Sequence, residues 1–399
     1  MILGNRADVT DVNAFANCLA ADNTNIYYNT TQSSFKKVDQ KTGTITMALT
    51  ASTLTSYGTA LITSSSAVMV FNNSNTYFIE LSSGYISNIT TGSAGVARTT
   101  ESSQQIAANP STRYAIATRS SINTVTLING NNFTVSSLAV SINSSLASCV
   151  CVKESNFLIG TNDGRVYEID TVGSVVKSTI LPVTNRIGGA LSSSFFIASI
   201  TYYNNYVLVS DTAGTLLLYD WSGTPTIVDK LVYNGWNGSH TQILSNSVSG
   251  TCYYTSGNTS STVNTGINEI NFEKGKLFVA SVWGGTYQQL VPSALVLSPS
   301  SNILGMSTGA NSSYPSLKIY DVTAMDKVNI QTRLQDPPGL DVAGRVIRIR
   351  DSGIGRTFVD TDVSISAGLN QVASTNACNY IELALITSPD KWDVREFRS

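Results

Sequence analysis

The stretch Asn156 to Lys177, NFLIGTNDGRVYEIDTVGSVVK, reads as three short strands joined by two tight turns. Phe157, Leu158 and Ile159 form an apolar run, and Tyr167 and Ile169 alternate with Glu168 and Asp170. Between them, Asn162, Asp163 and Gly164 are residues that tolerate the positive φ angles of a hairpin turn. Asp170 to Gly173 makes a second turn, and Ser174 to Lys177 opens a third strand. The unit is a β-meander. Alone it would leave strand edges unpaired and bury little, so it must pack on copies of itself or on another layer.

Copies are present. An apolar strand, a turn and a second apolar strand ending near a polar residue recur at Ile26 to Asp39, Val68 to Leu81, Tyr114 to Ile128, Tyr206 to Asp220 and Ile303 to Asp321. A degraded copy begins at Thr251 to Tyr254, with Lys276 to Ala280 as its displaced continuation. The spacing of these starts is about 46 residues, within the range of propeller blades. Ala190 to Thr201 and Leu290 to Leu297 supply further apolar strands, as a four-stranded blade requires. The count is seven, with six or eight as alternatives because the sixth unit is irregular. Asp8 to Ala16 is placed either to zip the ring shut on the last blade or to reach a neighbouring subunit.

The totals limit the functions available. The chain has 399 residues, 42% of them hydrophobic, so it can bury a substantial core. Charged residues make up 13%, about half the usual share, and Ser, Thr, Asn and Gln fill roughly a third of the chain. Its surface is hydroxyl and amide. With a net charge of −2 and no basic block, it lacks the electrostatic footprint of nucleic-acid recognition. No apolar run has the length of a signal peptide or a membrane span, so neither is expected. Cys18, Cys149, Cys151, Cys252 and Cys378 are scattered and odd in number, which implies free thiols and no disulfide framework.

Asp336, Pro337, Pro338 and Gly339 form a stiff linker, and charge density rises beyond it. Residues 1–335 are therefore read as the repeat domain and 336–399 as a small second domain. In the latter, Val342 to Arg350 and Arg356 to Asp360 read as strands joined by a hairpin at Asp351 to Gly355. Tyr380 to Ile386 is another strand, and a β-sandwich is the expected result.

The repeats resemble the β-propeller superfamily, and locally its quinoprotein-like and WD40-like blades, through the apolar strand, the Asn-Asp-Gly turn and the strand ending in Asp. No Gly-His with Trp-Asp pair recurs, and no cofactor is implied. Gly344 to Val346, Gly355 to Val359 and Tyr380 to Ile386 resemble a transthyretin-like or carboxypeptidase-regulatory-like sandwich. Such modules occur in secreted proteins and in bacteriophage tail proteins, nozzle and adaptor components among them.

Residues able to carry chemistry are few. His240 is the sole imidazole, and neither a Gly-x-Ser-x-Gly elbow nor an oriented acid accompanies it; a polar loop histidine is the plain reading. Three or four zinc ligands cannot be assembled around it. Asp163, Asp211 and Glu269 are candidate carboxylates for glycoside cleavage if the fold gathers them in a central funnel. Turn chemistry accounts for Asp163 as well, and for Asp170, Asp220 and Asp321 at strand ends. Tyr233 to His240 and Trp283 to Tyr287 combine aromatic and small polar residues, a composition that suits either sugar stacking or packing between blades. Arg348 and Arg350 share one strand face, which is either solvated or an interface with an acidic neighbour.

The expectation is a non-enzymatic structural protein of a bacteriophage virion, in the tail or its nozzle, assembled in the host cytoplasm as a ring-shaped homo-oligomer with other virion proteins. It has no catalytic, metal or cofactor residues. A glycan-binding adhesin contacting a host surface glycan is the alternative, and a polysaccharide hydrolase or lyase the third.

Overall fold

The structure is a computed structural model that describes residues 4–9, 19–30, 34–50, 56–63, 67–72, 76–88, 106–118, 125–138, 147–181, 197–211, 215–232, 240–258, 265–285, 292–308 and 317–322. Beyond these it describes the strands at 346–349, 356–358, 371–373, 380–387 and 391–397.

The chain opens with β1 (Gly4–Val9), followed by β2 (Leu19–Ala21), β3 (Asn25–Thr30), β4 (Ser34–Asp39) and β5 (Ile45–Thr50). Next come β6 (Ser56–Leu61), β7 (Ala67–Asn72), β8 (Thr76–Glu80) and β9 (Ile86–Asn88), then β10 (Ile106–Asn109), β11 (Tyr114–Ala117), β12 (Val125–Asn129) and β13 (Thr134–Leu138). The opening stretch lies in β14 (Ala147–Lys153), β15 (Asn156–Thr161), β16 (Arg165–Ile169) and β17 (Val175–Ile180). It is followed by β18 (Ile197–Tyr203), β19 (Tyr206–Asp211), β20 (Thr215–Asp220) and β21 (Thr226–Val232). β22 (His240–Leu244), β23 (Thr251–Asn258), β24 (Thr265–Asn271) and β25 (Phe278–Gly285) precede β26 (Pro292–Leu297), β27 (Ile303–Thr308) and β28 (Leu317–Asp321).

Among the described residues these strands form seven antiparallel four-stranded sheets. Six take four consecutive strands, and the seventh has the order β1-β28-β27-β26. The first strands of the sheets, β2, β6, β10, β14, β18, β22 and β26, adjoin one another in sequence, and β26 adjoins β2. The chain is an all-β β-propeller.

Its core lies between sheets. Leu217, Tyr219, Val207 and Val209 pack on Leu158, Val166 and Cys149 of the preceding sheet. Leu208, Leu216 and Leu218, one residue out of phase, pack on Tyr254, Ile270 and Phe272 of the following sheet. A strand buried on both faces needs apolar residues at consecutive positions, which is why these strands read as runs rather than alternations. Gly160 marks how closely two sheets approach: a Cβ there would lie 2.7 Å from Cys149 Sγ and 2.8 Å from Ile197 Cγ2.

The turns follow residue chemistry. Of Asn162, Asp163 and Gly164, only Gly164 takes a positive φ, 79°, while Gly173 closes the next turn at 91°. Asp170 Oδ1 accepts the Val172 and Ser174 amides at 3.0 and 2.7 Å. Asp39 and Asp220 do the same for Lys41 and Ser222 at 2.9 and 2.8 Å. These acids recur because each closes a turn after the third strand of its sheet.

Three details differ from the expectations. The sixth unit is complete: β24 is its third strand, and Lys276 to Ala280 leads into the fourth, so the polar composition of TGINEIN concealed a strand. The closing strand is β1, which begins upstream of Asp8 to Ala16 and shares only Asp8 and Val9 with it, residues 10–16 lying outside the described residues. Its register runs from Gly4 opposite Asp321 to Val9 opposite Leu317, which seats Ala7 and Val9 in the core against Ile26 and Tyr28. In the C-terminal part, β29 (Val346–Ile349) pairs with β32 (Tyr380–Thr387), and β30 (Arg356–Phe358) pairs with β31 (Gln371–Ala373). Among the described residues β29 and β30 are not paired with each other, and the turn expected to join them, Asp351 to Gly355, lies outside the described residues. β33 (Lys391–Phe397) pairs with the other edge of β32.

Gly160→Ala is expected to destabilise the chain by about 1–3 kcal/mol through overpacking. Gly223→Ala, at a position with nothing within 4 Å of the added carbon, is expected to be close to neutral; urea denaturation of the two variants checks this.

Candidate functional site

The three candidate carboxylates lie in three different sheets, and each is bonded locally. Asp163 accepts the Thr161 hydroxyl at 2.6 Å and Arg165 Nε at 3.1 Å, closing the turn between β15 and β16. Asp211, buried at the end of β19, accepts the Thr215 amide at 2.7 Å. Glu269 is buried within β24 and accepts the Tyr253 hydroxyl at 3.3 Å. The funnel that would have gathered them exists without them.

That funnel is the central channel, with a volume of about 390 Å³. Its wall is built from the first strands of the sheets and includes Ala20, Ala60, Ala107, Cys151, Thr201 and Leu295. Among the described residues that line it there is no acid or imidazole. Burial raises the Cys151 thiol well above its ordinary value, so this sulfur is not poised as a nucleophile. Cys149 is pushed up to about 12 by burial. Both are free thiols, as is Cys252.

His240 begins β22, where it pairs with Asn258. Trp283 lies in β25 opposite Ile267. Residues 233–239 and 286–287, the rest of the two aromatic segments, fall outside the described residues. Arg350 does too, whereas the register of Arg348 sets it opposite Glu382, itself opposite Arg395.

The strongest polar constellation is one the sequence reading missed. Glu168 Oε1 accepts Lys153 Nζ at 3.0 Å and Asn156 Nδ2 at 2.8 Å, while Oε2 accepts Trp221 Nε1 of the next sheet at 3.0 Å. Lys177 Nζ lies 4.4 Å from the Trp221 ring centroid and donates to the Trp221 and Gly223 carbonyls. Burial pushes the Glu168 carboxyl up, but the bonds from Asn156, Trp221 and Lys153 outweigh it and hold the group below its ordinary range. Lys153, Asn156 and Trp221 are all engaged with Glu168, and Lys177 is engaged with carbonyls beside it. The cluster locks one sheet to the next and offers no free acid for catalysis. Its partners stand 53 residues apart in the chain, so no local pattern announces the bond.

No protein-family model matches the sequence, and no curated protein matches it. Solved structures do resemble the fold. The structure of U3-55K superposes with a TM-score of 0.60 at 13% identity, covering 80% of this chain and 98% of that one. The crystal structure of the RRP9 WD40 repeats does so with a TM-score of 0.60 at 12% identity, covering 80% and 99%. At this identity the likeness is one of fold alone, that of a β-propeller.

A depressed carboxylate contributes stability above its unfolded pKa, about 4.3 for Glu and 3.9 for Asp, and that stability is lost as pH falls through the folded value. Glu168 is one such group; Asp39 and Asp220, held low first by bonds from Thr42 and Ser222, are others. The melting temperature is thus expected to fall on acidification, less steeply in Glu168→Gln. Glu168→Ala is expected to cost about 3 kcal/mol at neutral pH, because it leaves a largely buried Lys153 with only Glu154, at 3.9 Å, as its ionic partner and the Trp221 indole N–H without its acceptor. Thermal melts across the acid range check both.

Proposed function

We propose that this chain is a non-enzymatic structural component of a bacteriophage virion, in the tail or its nozzle, acting through contacts between subunits. In this reading a seven-bladed propeller closed by β1 occupies residues 1–335, and residues 336–399 add a small sandwich that resembles tail-associated modules. The seven four-stranded sheets and the circuit of their first strands support the blade count.

The observation that carries the functional reading is the chemistry of the outer strands. On β5 and β13 the exposed described positions are Thr46, Ala48, Thr134 and Ser136, and on β17 they are Val175, Val176, Ser178 and Ile180, while β1 exposes Arg6 and Asp8 and β21 exposes Thr226 and Lys230. The hydroxyl and aliphatic part of this rim, on β5, β13 and β17, can be covered by a neighbour without the desolvation cost of burying charge. The candidate carboxylates, by contrast, are tied into turns and the core.

Sedimentation and electron microscopy of the purified chain test this, together with a glycan array. The expected result is a discrete ring-shaped oligomer with no saturable sugar binding. A monomer that binds a glycan saturably would replace it with the adhesin reading, and polysaccharide cleavage lost on changing two carboxylates would replace both.

A further inference from the structure

The large hydrophobic side chains exposed among the described residues are Tyr85, Phe133, Val172, Val175, Val176 and Ile180. Most of them fall in one segment, β17 and the turn leading into it: Val172 is 75% exposed, Val176 56%, Ile180 55% and Val175 47%. β17 is the outermost strand of its sheet and pairs only with β16. Outer strands are normally guarded against pairing with foreign strands by exposed charge. β1 exposes Arg6 and Asp8 at the same place in its sheet, and β21 exposes Lys230, whereas β5, β9, β13 and β25 carry no charge; what sets β17 apart is its aliphatic exposed face. In β17 the single charge, Lys177, is turned away to the Trp221 and Gly223 carbonyls of the next sheet.

We propose that β17 is a pairing edge through which two copies of this chain join, strand to strand and antiparallel, about a two-fold axis at Ser178. The proposal rests on the reading above that the chain works through contacts between its copies, and it names one of those contacts: a two-fold pair closes on two copies, so a ring needs a second, different contact beside it. Val176, Ser178 and Ile180 share the exposed face, while Lys177 and Thr179 share the half-buried one. A two-fold axis normal to the sheet preserves faces, so residues of the exposed face must meet one another. In the register centred on Ser178, Val176 lies opposite Ile180 of the second copy, Ile180 opposite its Val176, and Ser178 opposite Ser178. Lys177 lies opposite Thr179, so no like charges meet. The strand thus carries the pattern its partner needs. A charged partner strand would find nothing to answer it, because Lys177 is already engaged. One strand pair is small against a standard interface, so the association is concentration-dependent.

The full-length chain with Ser178→Cys, exposed to a mild oxidant, tests the register, because directly opposed residues in such a pair lie within disulfide reach. Ser136→Cys on β13 serves as the control. A covalent dimer forming at least ten times faster at position 178 is expected. In sedimentation, Val176→Lys with Ile180→Lys is expected to weaken dimerisation at least ten-fold with an unchanged melting temperature, whereas Thr46→Lys with Ala48→Lys on β5 is not. Equal crosslinking at 178 and 136, or assembly that survives the β17 change, overturns the pairing edge while leaving a role in copy-to-copy contacts standing. A wild-type chain that stays monomeric at every concentration overturns both, and β17 then serves a different protein's strand or none.

Discussion

No sheet of the propeller can satisfy its own faces. The inner strands carry aliphatic and aromatic residues at consecutive positions, so each sheet has two apolar sides, and each side must be covered by another sheet. Leu216 and Leu218 require one neighbour, and Leu217 and Tyr219 require the other. A stack obeying this rule has no natural end, and closing it into a ring removes the end. Closure falls to β1, which brings the two ends of the repeat region together in one sheet. Its ion pairs, Arg6 with Asp321 at 3.5 Å and Asp8 with Lys318 at 3.2 Å, are partly exposed and worth little alone. Val9 and Ala7 in the shared core contribute more to holding it.

This constraint also explains where the polar groups went. With the described faces of the propeller sheets largely apolar, side-chain polarity lies in turns, outer strands, bridges between sheets and small buried hydroxyls such as Ser148, Ser199 and Ser210. The turn acids are consumed by amide hydrogens two residues on. Glu168 is consumed by three donors, one of them from the next sheet. Asn246 plays a similar part further round, exchanging bonds with the Leu297 backbone at 2.9 and 2.7 Å. What faces outward is mostly hydroxyl on β5 and β13, aliphatic on β17 and charged on β1 and β21.

Much of this was legible in the sequence, because the second and third strands of each sheet are the most buried and carry the clearest apolar runs. Those strands gave the period, and Asp39, Asp170 and Asp220 announced their turns. The fourth strands were harder to read: Val175 to Ile180 mixes Lys177, Ser178 and Thr179 with aliphatics and has no core side to enforce a pattern. β24 was missed because Asn268 and Glu269 interrupt its apolar residues, although Glu269 is buried by its bond with Tyr253. The Glu168 to Trp221 bond could not be foreseen, since it depends on how two sheets meet. The candidate carboxylates failed as a site for the same reason: a funnel was expected, but which residues reach it is decided by strand order, and they stand on later strands of their sheets.

The most direct test of radial closure is native-state hydrogen exchange on a chain lacking residues 1–9, with those residues then supplied as a separate peptide. If each sheet depends on both neighbours, removing β1 will speed exchange in β28 and β27 and in the facing strands β3 and β4, and the peptide will restore protection. Unchanged exchange in all four strands would mean that the sheets stand without the ring, contradicting the account.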